Sequence, residues 1–102
     1  MIRIVNLRSY ELKENEVLVR VDRFNKVLGN RFVMKSESDR DRVCDEYKKW
    51  FDRCISEGDE VVLNELRRIY KLGRRNDLVL GCWSYPRRCH SEVIKEFLEK
   101  YL

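Results

Sequence analysis

The sequence predicts an α/β protein in which a small mixed sheet of about four strands is flanked by three helices, packed in layers as a single domain over residues 1–102. Two observations lead to this class. Apolar residues alternate in short runs over the first third of the chain, and from residue 43 onward they recur at helical spacing around one continuous apolar run. A chain of 102 residues buries on folding roughly two-thirds of the surface that its unfolded form exposes. A single hydrophobic core can therefore be stable without disulfides or a structural metal.

Three strands are predicted in the first third of the chain. Residues 2–6 are short and β-branched, and residues 17–22 alternate at the period of two that a half-buried strand shows. Residues 32–34 form a third apolar run after Gly29 and Asn30, which suit a tight turn. The second and third runs are expected to pair as a hairpin.

Two helices are predicted next. Ser38 is a candidate N-cap of the first, and Gly58 ends it. Asp59 can cap the second helix, with Gly73 just past its end. The apolar face of the first helix consists of Val43, Tyr47, Trp50, Phe51 and Cys54, and that of the second of Val62, Leu66, Ile69 and Tyr70.

The last part of the chain predicts a strand, a loop and a helix. Residues 78–82 form the apolar run typical of a strand buried on both faces, and apolar residues over 93–102 recur at helical spacing. Ligands of α/β proteins bind outside the carboxyl ends of strands. The loop at residues 83–90 therefore lies where a ligand site is expected.

The positive charge is concentrated in one segment. Residues 1–61 hold 13 basic and 13 acidic side chains, whereas residues 62–90 hold seven basic and two acidic ones. Such a density attracts phosphates if the fold gathers it, and the alternative is an ordinary solvated surface. The seven basic residues are Arg67, Arg68, Lys71, Arg74, Arg75, Arg87 and Arg88.

Nothing in the first fifteen residues resembles a secretory signal, because charges interrupt every apolar stretch. No apolar run approaches the roughly 18 residues of a membrane span. We expect a protein that stays inside a cell, where its four cysteines are free thiols. An oxidised pair of Cys82 and Cys89 is the alternative.

The loop at residues 83–90 has the composition of an anion site. Pro86 suits the first turn of a helix and Ser84 is a possible cap, so free N–H groups and the guanidinium groups of Arg87 and Arg88 would face an anion. The alternative is two exposed arginines without a ligand.

His90 lies on the same helical face as Ile94 and Phe97, so its ring is expected to point toward the sheet. It is either a chemical group or a buried histidine hydrogen-bonded to a backbone carbonyl. The thiolate of Cys89 would be favoured by the helix start and the arginines, and the alternative for Cys89 is a small buried side chain.

Three more specific interpretations compete for this loop. Cys82 and Arg88 have the Cys-x5-Arg spacing of a phosphatase loop, although bulky rings and a proline replace the amide donors that such a loop needs. Zinc would use Cys82, Cys89 and His90, but no Cys-x-x-Cys pair exists. Trp83 could stack a nucleobase, as could Tyr85, although aromatic residues at a strand end more often cover the core.

Three motifs resemble those of a family of small uncharacterised domains found in phages, archaeal viruses and microbes. They stand here as Val5-Asn6-Leu7-Arg8, Gly29-Asn30-Arg31-Phe32 and Leu80-Gly81-Cys82-Trp83-Ser84-Tyr85-Pro86-Arg87-Arg88-Cys89-His90. The family has no assigned activity, and the resemblance implies only that the three motifs converge in one site. Length and charge also resemble a small protein of an archaeal filamentous virus, which implies the cytoplasm of a host cell.

Two positions depart from the family pattern. Ser84 replaces the second loop cysteine, which weakens zinc or cysteine-pair chemistry, and Arg31 replaces a proline, which adds a cation. Both changes favour an anion over a metal, so no metal ligands are predicted.

The leading hypothesis is a virus-associated binding module for a phosphate-bearing ligand, a nucleotide or a nucleic acid. A second is an enzyme acting on such a ligand through Cys82, Cys89 or His90, although a single histidine supplies little acid–base chemistry. A third is a homodimer built by Trp50, Phe51 or a helix face. No cofactor is indicated, and the predicted ligand-binding residues are Asn6, Arg8, Asn30, Arg31, Ser84, Arg87, Arg88 and His90.

Overall fold

Three strands form one parallel sheet in the computed structural model, which describes all 102 residues. The strands are β1 (Ile2–Asn6), β2 (Glu16–Arg20) and β3 (Asp77–Cys82), in the order β1-β3-β2. The central strand β3 pairs in parallel with both neighbours. The α/β class is therefore confirmed, but the sheet has three strands rather than four and is parallel rather than mixed.

The predicted hairpin with residues 32–34 does not form. Backbone N–H groups in this part of the chain are hydrogen-bonded to nearby side chains and not to a neighbouring strand. The Asn25 side-chain oxygen accepts the N–H groups of Val27 and Leu28, and that of Asn30 accepts the N–H of Phe32. Such local hydrogen bonds compete with a strand ladder. The chain from β2 to the first helix is consequently a series of turns.

Three helices follow the expected order: α1 (Arg40–Ser56), α2 (Glu60–Gly73) and α3 (Ser91–Glu99). Asp59 caps α2 as predicted, since its carboxylate accepts the N–H groups of Val61 and Val62. The predicted cap at Ser38 is wrong, because a short 3-10 turn, Glu37–Asp39, precedes α1. None of the helices combines the length and apolar character that crossing a bilayer requires.

Glycines end the first two helices in different ways. Gly58 follows α1 with a φ of 69°, the left-handed conformation that favours glycine. Gly73 is the last residue of α2 and does not lie beyond it. A Cβ at Gly73 would approach the Cδ1 atoms of Leu78 and Leu102 to 2.8 Å, so close packing accounts for this glycine.

The main core lies between the helices and one face of the sheet. Alternate strand residues point into it, as the period of two requires. The strand members are Ile2, Ile4, Val19, Leu78, Leu80 and Cys82, and the largest helical members are Tyr47, Phe51, Leu66, Ile69, Ile94 and Leu98.

The other face of the sheet is covered by the segment that joins β1 to β2. A Cβ at Gly81 would lie 2.5 Å from Cδ2 of Leu7, which shows how closely this segment packs on β3. Arg3 of β1 reaches Glu16 of β2, with its Nε and Nη2 atoms 2.8 and 2.9 Å from the carboxylate oxygens. This ion pair ties the two outer strands together.

Candidate functional site

A cleft opens at the carboxyl ends of the three parallel strands, the edge at which α/β proteins bind ligands. It has a volume of about 450 Å³. Its walls come from the segment after β2, the start of α1 and the loop between β3 and α3. They are Asp22, Arg23, Asn30, Phe32, Met34, Arg40, Val43, Cys44, Cys82, Trp83, Ser84, Arg88, Cys89 and His90.

Two buried rings hold the segment after β2 against the core. The Tyr47 hydroxyl donates to the Leu28 carbonyl at 2.6 Å, and Nε2 of His90 is hydrogen-bonded to the Val21 carbonyl. The two rings meet edge to face, with centroids 5.0 Å apart. This wall of the cleft is therefore fixed by side chains from α1 and from the residue before α3.

His90 is a buried histidine hydrogen-bonded to a backbone carbonyl, which is one of the two alternatives that the sequence left open. Burial lowers the pKa of its imidazole, so the ring is neutral and donates from Nε2 to the Val21 carbonyl. Nδ1 makes no hydrogen bond within the protein, and His90 lines the cleft. The ring positions the backbone and offers one acceptor nitrogen.

Asp22 ties the cleft floor to the loop after β3. Its carboxylate accepts hydrogen bonds from Nε and Nη2 of Arg20, at 3.1 and 2.6 Å. It also accepts one from the indole N–H of Trp83, at 2.8 Å. Burial opposes its ionisation, but these hydrogen bonds outweigh burial and hold the pKa of Asp22 below its ordinary value. The charge of Asp22 is thus neutralised within the protein.

Asn6 fastens the first motif to the third. Its side-chain NH₂ donates to the carbonyls of Trp83 and Tyr85 at 3.1 and 2.9 Å, while its oxygen accepts the Arg8 N–H. Asn6 does not line the cleft. Its side chain holds the shape of the loop after β3.

Two thiols lie together at the base of the cleft. The Sγ atoms of Cys82 and Cys89 are 3.3 Å apart, and all four cysteines of the chain are free. The Cys89 thiol and the N–H groups of Ser84 and Tyr85 lower the pKa of Cys82, whereas the Cys82 sulfur and burial raise that of Cys89. Of the two thiols, Cys82 is the one whose ionisation its surroundings favour.

The hydroxyl of Ser91 is fully buried beside the two sulfurs and has no partner in hydrogen-bonding geometry. Because an unpartnered buried hydroxyl costs free energy, such groups are rare in folded proteins.

No group of three or more His, Cys, Asp or Glu side chains is arranged to hold a metal ion.

Three arginines line the cleft, and two of them are already paired. Arg40 binds the Glu37 carboxylate at 2.8 Å. Arg88 binds Asp41 at 3.0 Å and Asp45 at 2.8 Å. Arg23 is exposed and contacts only the Asn30 carbonyl, at 3.3 Å, so it is the cleft cation without a carboxylate partner.

The loop at residues 83–90 does not contain the helix start that was predicted there. The helix α3 begins at Ser91, not near Pro86, and Ser84 caps nothing. Arg88 is held by two carboxylates of α1, and Arg87 lies 3.6 Å from Glu37. Arg88 therefore fastens the loop to α1, whereas the Arg87 side chain is 69% exposed.

The remaining predicted residues divide between the cleft and other surfaces. Six lie in the cleft: Asn30, Cys82, Ser84, Arg88, Cys89 and His90. Asn6, Arg8, Arg31 and Arg87 do not. The guanidinium group of Arg31 stacks on Trp50 at 4.0 Å, and Phe51 is buried in the core.

Three cleft residues were not predicted from the sequence: Asp22, Arg23 and Arg40. Asp22 and Arg23 directly follow β2, and a parallel sheet would have placed them at the carboxyl edge. The hairpin expected with residues 32–34 hid that signal. Arg40 was not recognised as a cleft residue, because the helix was predicted to start at Ser38 and α1 in fact begins at Arg40.

A family model described as a domain of unknown function, DUF4326, matches residues 5–100. The match covers almost the whole chain. The protein belongs to the DUF4326 family. No curated protein and no solved structure matches the chain. Within this DUF4326 domain the first and third motifs meet through Asn6, and the second motif contributes Asn30 and Phe32 to the cleft.

Proposed function

We propose that the protein is a binding module that takes a phosphate-bearing ligand of nucleotide size in the cleft. The observation that carries this proposal is the unpaired guanidinium group of Arg23 on a cleft wall where every other charge has a partner. A cation without a counter-ion, in a concave site with low-polarity walls, attracts an anion. Arginine also presents a fork of donors that matches phosphate oxygens.

The other walls suit the remainder of a nucleotide. The Trp83 side chain is 55% exposed although its indole N–H is fixed by Asp22, so one aromatic surface remains open for stacking. Ser84 and Asn30 offer polar groups that could orient a base or a sugar. The volume of about 450 Å³ lies within the range of small-molecule sites.

Calorimetric titration with nucleoside monophosphates at low ionic strength tests the proposal. Arg23→Ala is expected to weaken binding roughly 10- to 100-fold, the contribution of a hydrogen bond to a charged group. Lys26→Ala is the matched control, because Lys26 is exposed in the same segment but lies outside the cleft. Absence of binding to the wild type, or equal losses in both variants, would refute the proposal.

The thiol pair supports a second candidate, an enzyme that acts on the same ligand with Cys82 as nucleophile. Cys82 lines the cleft and its thiolate is stabilised by the Cys89 thiol. Ordinary thiols, with a pKa of 9.0, are about 1% ionised at pH 7. Because Cys82 is only 2% exposed, its reactivity is compared at that one site: iodoacetamide at pH 7 should label Cys82 faster in the wild type than in Cys89→Ser, with Cys44 labelled equally in both. Equal labelling of Cys82 in the two proteins would contradict this candidate.

We further propose that the protein works in the cytoplasm of a virus-infected cell and that a nucleic acid is one source of its ligand. The viral setting rests on the motif resemblance alone.

A further inference from the structure

A second charged surface lies at the opposite edge of the sheet from the cleft. We define the basic groove by Arg67, Arg68, Lys71, Arg74 and Arg75, at the end of α2 and in the turn before β3. The groove has a volume of about 870 Å³ and no acidic residue lines it. The six residues of β3, whose five steps rise about 3.3 Å each, separate it from the cleft by roughly 17 Å.

The basic groove holds more positive charge than the fold neutralises. Arg67 pairs with Glu60 at 3.2 Å, and Arg68 pairs with Glu65 at 2.7 Å. The other three cations are exposed and form no ion pair or side-chain hydrogen bond: Lys71, Arg74 and Arg75.

Fold stability does not account for these three cations. The carbonyl end of α2 favours positive charge, but that effect amounts to about 0.3–1 kcal/mol and fades within one turn. Three adjacent like charges repel one another, and the two carboxylates of α2, Glu60 and Glu65, are already paired with Arg67 and Arg68. Surface cations without partners are conversely well placed to meet a polyanion.

We propose that the basic groove binds the phosphate backbone of a nucleic acid strand, a site separate from the nucleotide cleft proposed above. The groove presents cations and the amide of Asn76, while Leu72 is its single apolar residue. A surface that binds anionic lipid places large apolar side chains beside its cations, and the groove lacks them. Contact with phosphates rather than bases makes the binding independent of sequence.

Fluorescence anisotropy with labelled single-stranded DNA, duplex DNA and RNA tests the proposal. The wild type should bind at about 50 mM salt, and its affinity should fall steeply as salt rises. The triple variant K71A/R74A/R75A should bind at least tenfold more weakly. Its slope of log affinity against log salt should be shallower by about 2 for single strands or about 2.7 for duplex DNA, for three lost phosphate contacts.

A control variant that loses the same number of positive charges distinguishes the effect of the basic groove from the effect of net charge. The variant K35A/K48A/K49A removes three exposed lysines elsewhere on the surface. Equal losses in the two triple variants would overturn the proposal, as would no binding by the wild type. So would binding to phosphatidylserine vesicles that depends on the groove while nucleic acid binding does not.

The proposals for the cleft and for the basic groove can be refuted independently of each other. Arg23→Ala should leave the salt dependence of nucleic acid binding unchanged, and the groove variant should keep the wild-type affinity for nucleoside monophosphates. A loss of nucleic acid binding in Arg23→Ala with none in the groove variant would assign the backbone to the cleft and overturn this inference.

Discussion

The Asn6 carboxamide joins the end of β1 to the loop after β3 through two hydrogen bonds, to Trp83 and Tyr85. Trp83 is in turn held by Asp22, so the loop that forms one wall of the cleft is fastened at both of its neighbouring strands. Side chains of this kind support a site without touching its ligand. They control how well the cleft is formed before a ligand arrives.

We expect Asn6→Ala to lower the free energy of unfolding by about 1–3 kcal/mol, because its two hydrogen bonds to the loop after β3 contribute about 0.5–1.5 kcal/mol each. Nucleotide affinity should fall with it, since the loop loses its anchor. Urea unfolding measures the first effect. Asn64→Ala, at an exposed position of α2, is the control, and equal stability of the two variants would contradict the assigned role.

The Arg3–Glu16 pair makes stability depend on pH. Hydrogen bonds from the Arg3 guanidinium and the Lys13 N–H lower the pKa of Glu16 from 4.5 to about 2. A carboxyl whose pKa is lower in the folded state stabilises the fold above its unfolded pKa, and this contribution disappears as the pH falls from 4.5 toward about 2.

Glu16→Gln should therefore flatten the acid part of a plot of unfolding free energy against pH. Urea titrations between pH 2 and pH 6 measure it, with Glu14→Gln at an exposed neighbouring position as control. Superimposable curves for the wild type and Glu16→Gln would show that the pair does not hold the outer strands.

The helices show what sequence patterns can and cannot locate. Apolar spacing gave all three helices, and Asp59 was a correct cap because a single side chain satisfies the local N–H groups whatever the tertiary fold. The start of α1 was misplaced since the 3-10 turn depends on Asp39 accepting the Lys35 N–H, and α3 starts later than Pro86 indicated.

We expect substitutions at the two predicted capping residues, Asp59 and Ser38, to differ in their effect on stability. Asp59→Ala should lower the free energy of unfolding by about 1 kcal/mol, the usual value of a lost cap. Ser38→Ala should leave it unchanged, because Ser38 bonds only the Ser36 hydroxyl. Urea unfolding distinguishes them, and a cost at Ser38 equal to that at Asp59 would contradict the observed start of α1.

At the scale of the whole molecule, the fold separates groups that are contiguous in the sequence. The basic segment reads as one cluster, yet Arg88 closes the cleft against α1 while Lys71, Arg74 and Arg75 lie at the other edge of the sheet. The sequence located the loop after β3 correctly as a cleft wall. It could not show that Arg88 is paired, because its carboxylate partners, Asp41 and Asp45, are more than forty positions away.

The parallel sheet also explains why part of the cleft escaped prediction. A strand order of β1-β3-β2 requires β3, last in sequence, to insert between the first two strands. Local patterns identify strands but not their neighbours. Once β2 is known to run parallel to β3, Asp22 and Arg23 fall at the same edge as Trp83 and complete the cleft.

The most direct test of the central proposal is a two-dimensional amide NMR titration of the protein with a nucleoside monophosphate. We predict that amide shifts move in residues 22–30 and 82–90, and that Arg23→Ala abolishes these changes at the same ligand concentration. Shifts confined to residues 71–76 in the basic groove, or no shifts at any ligand concentration, would contradict a ligand site at the carboxyl edge of the sheet.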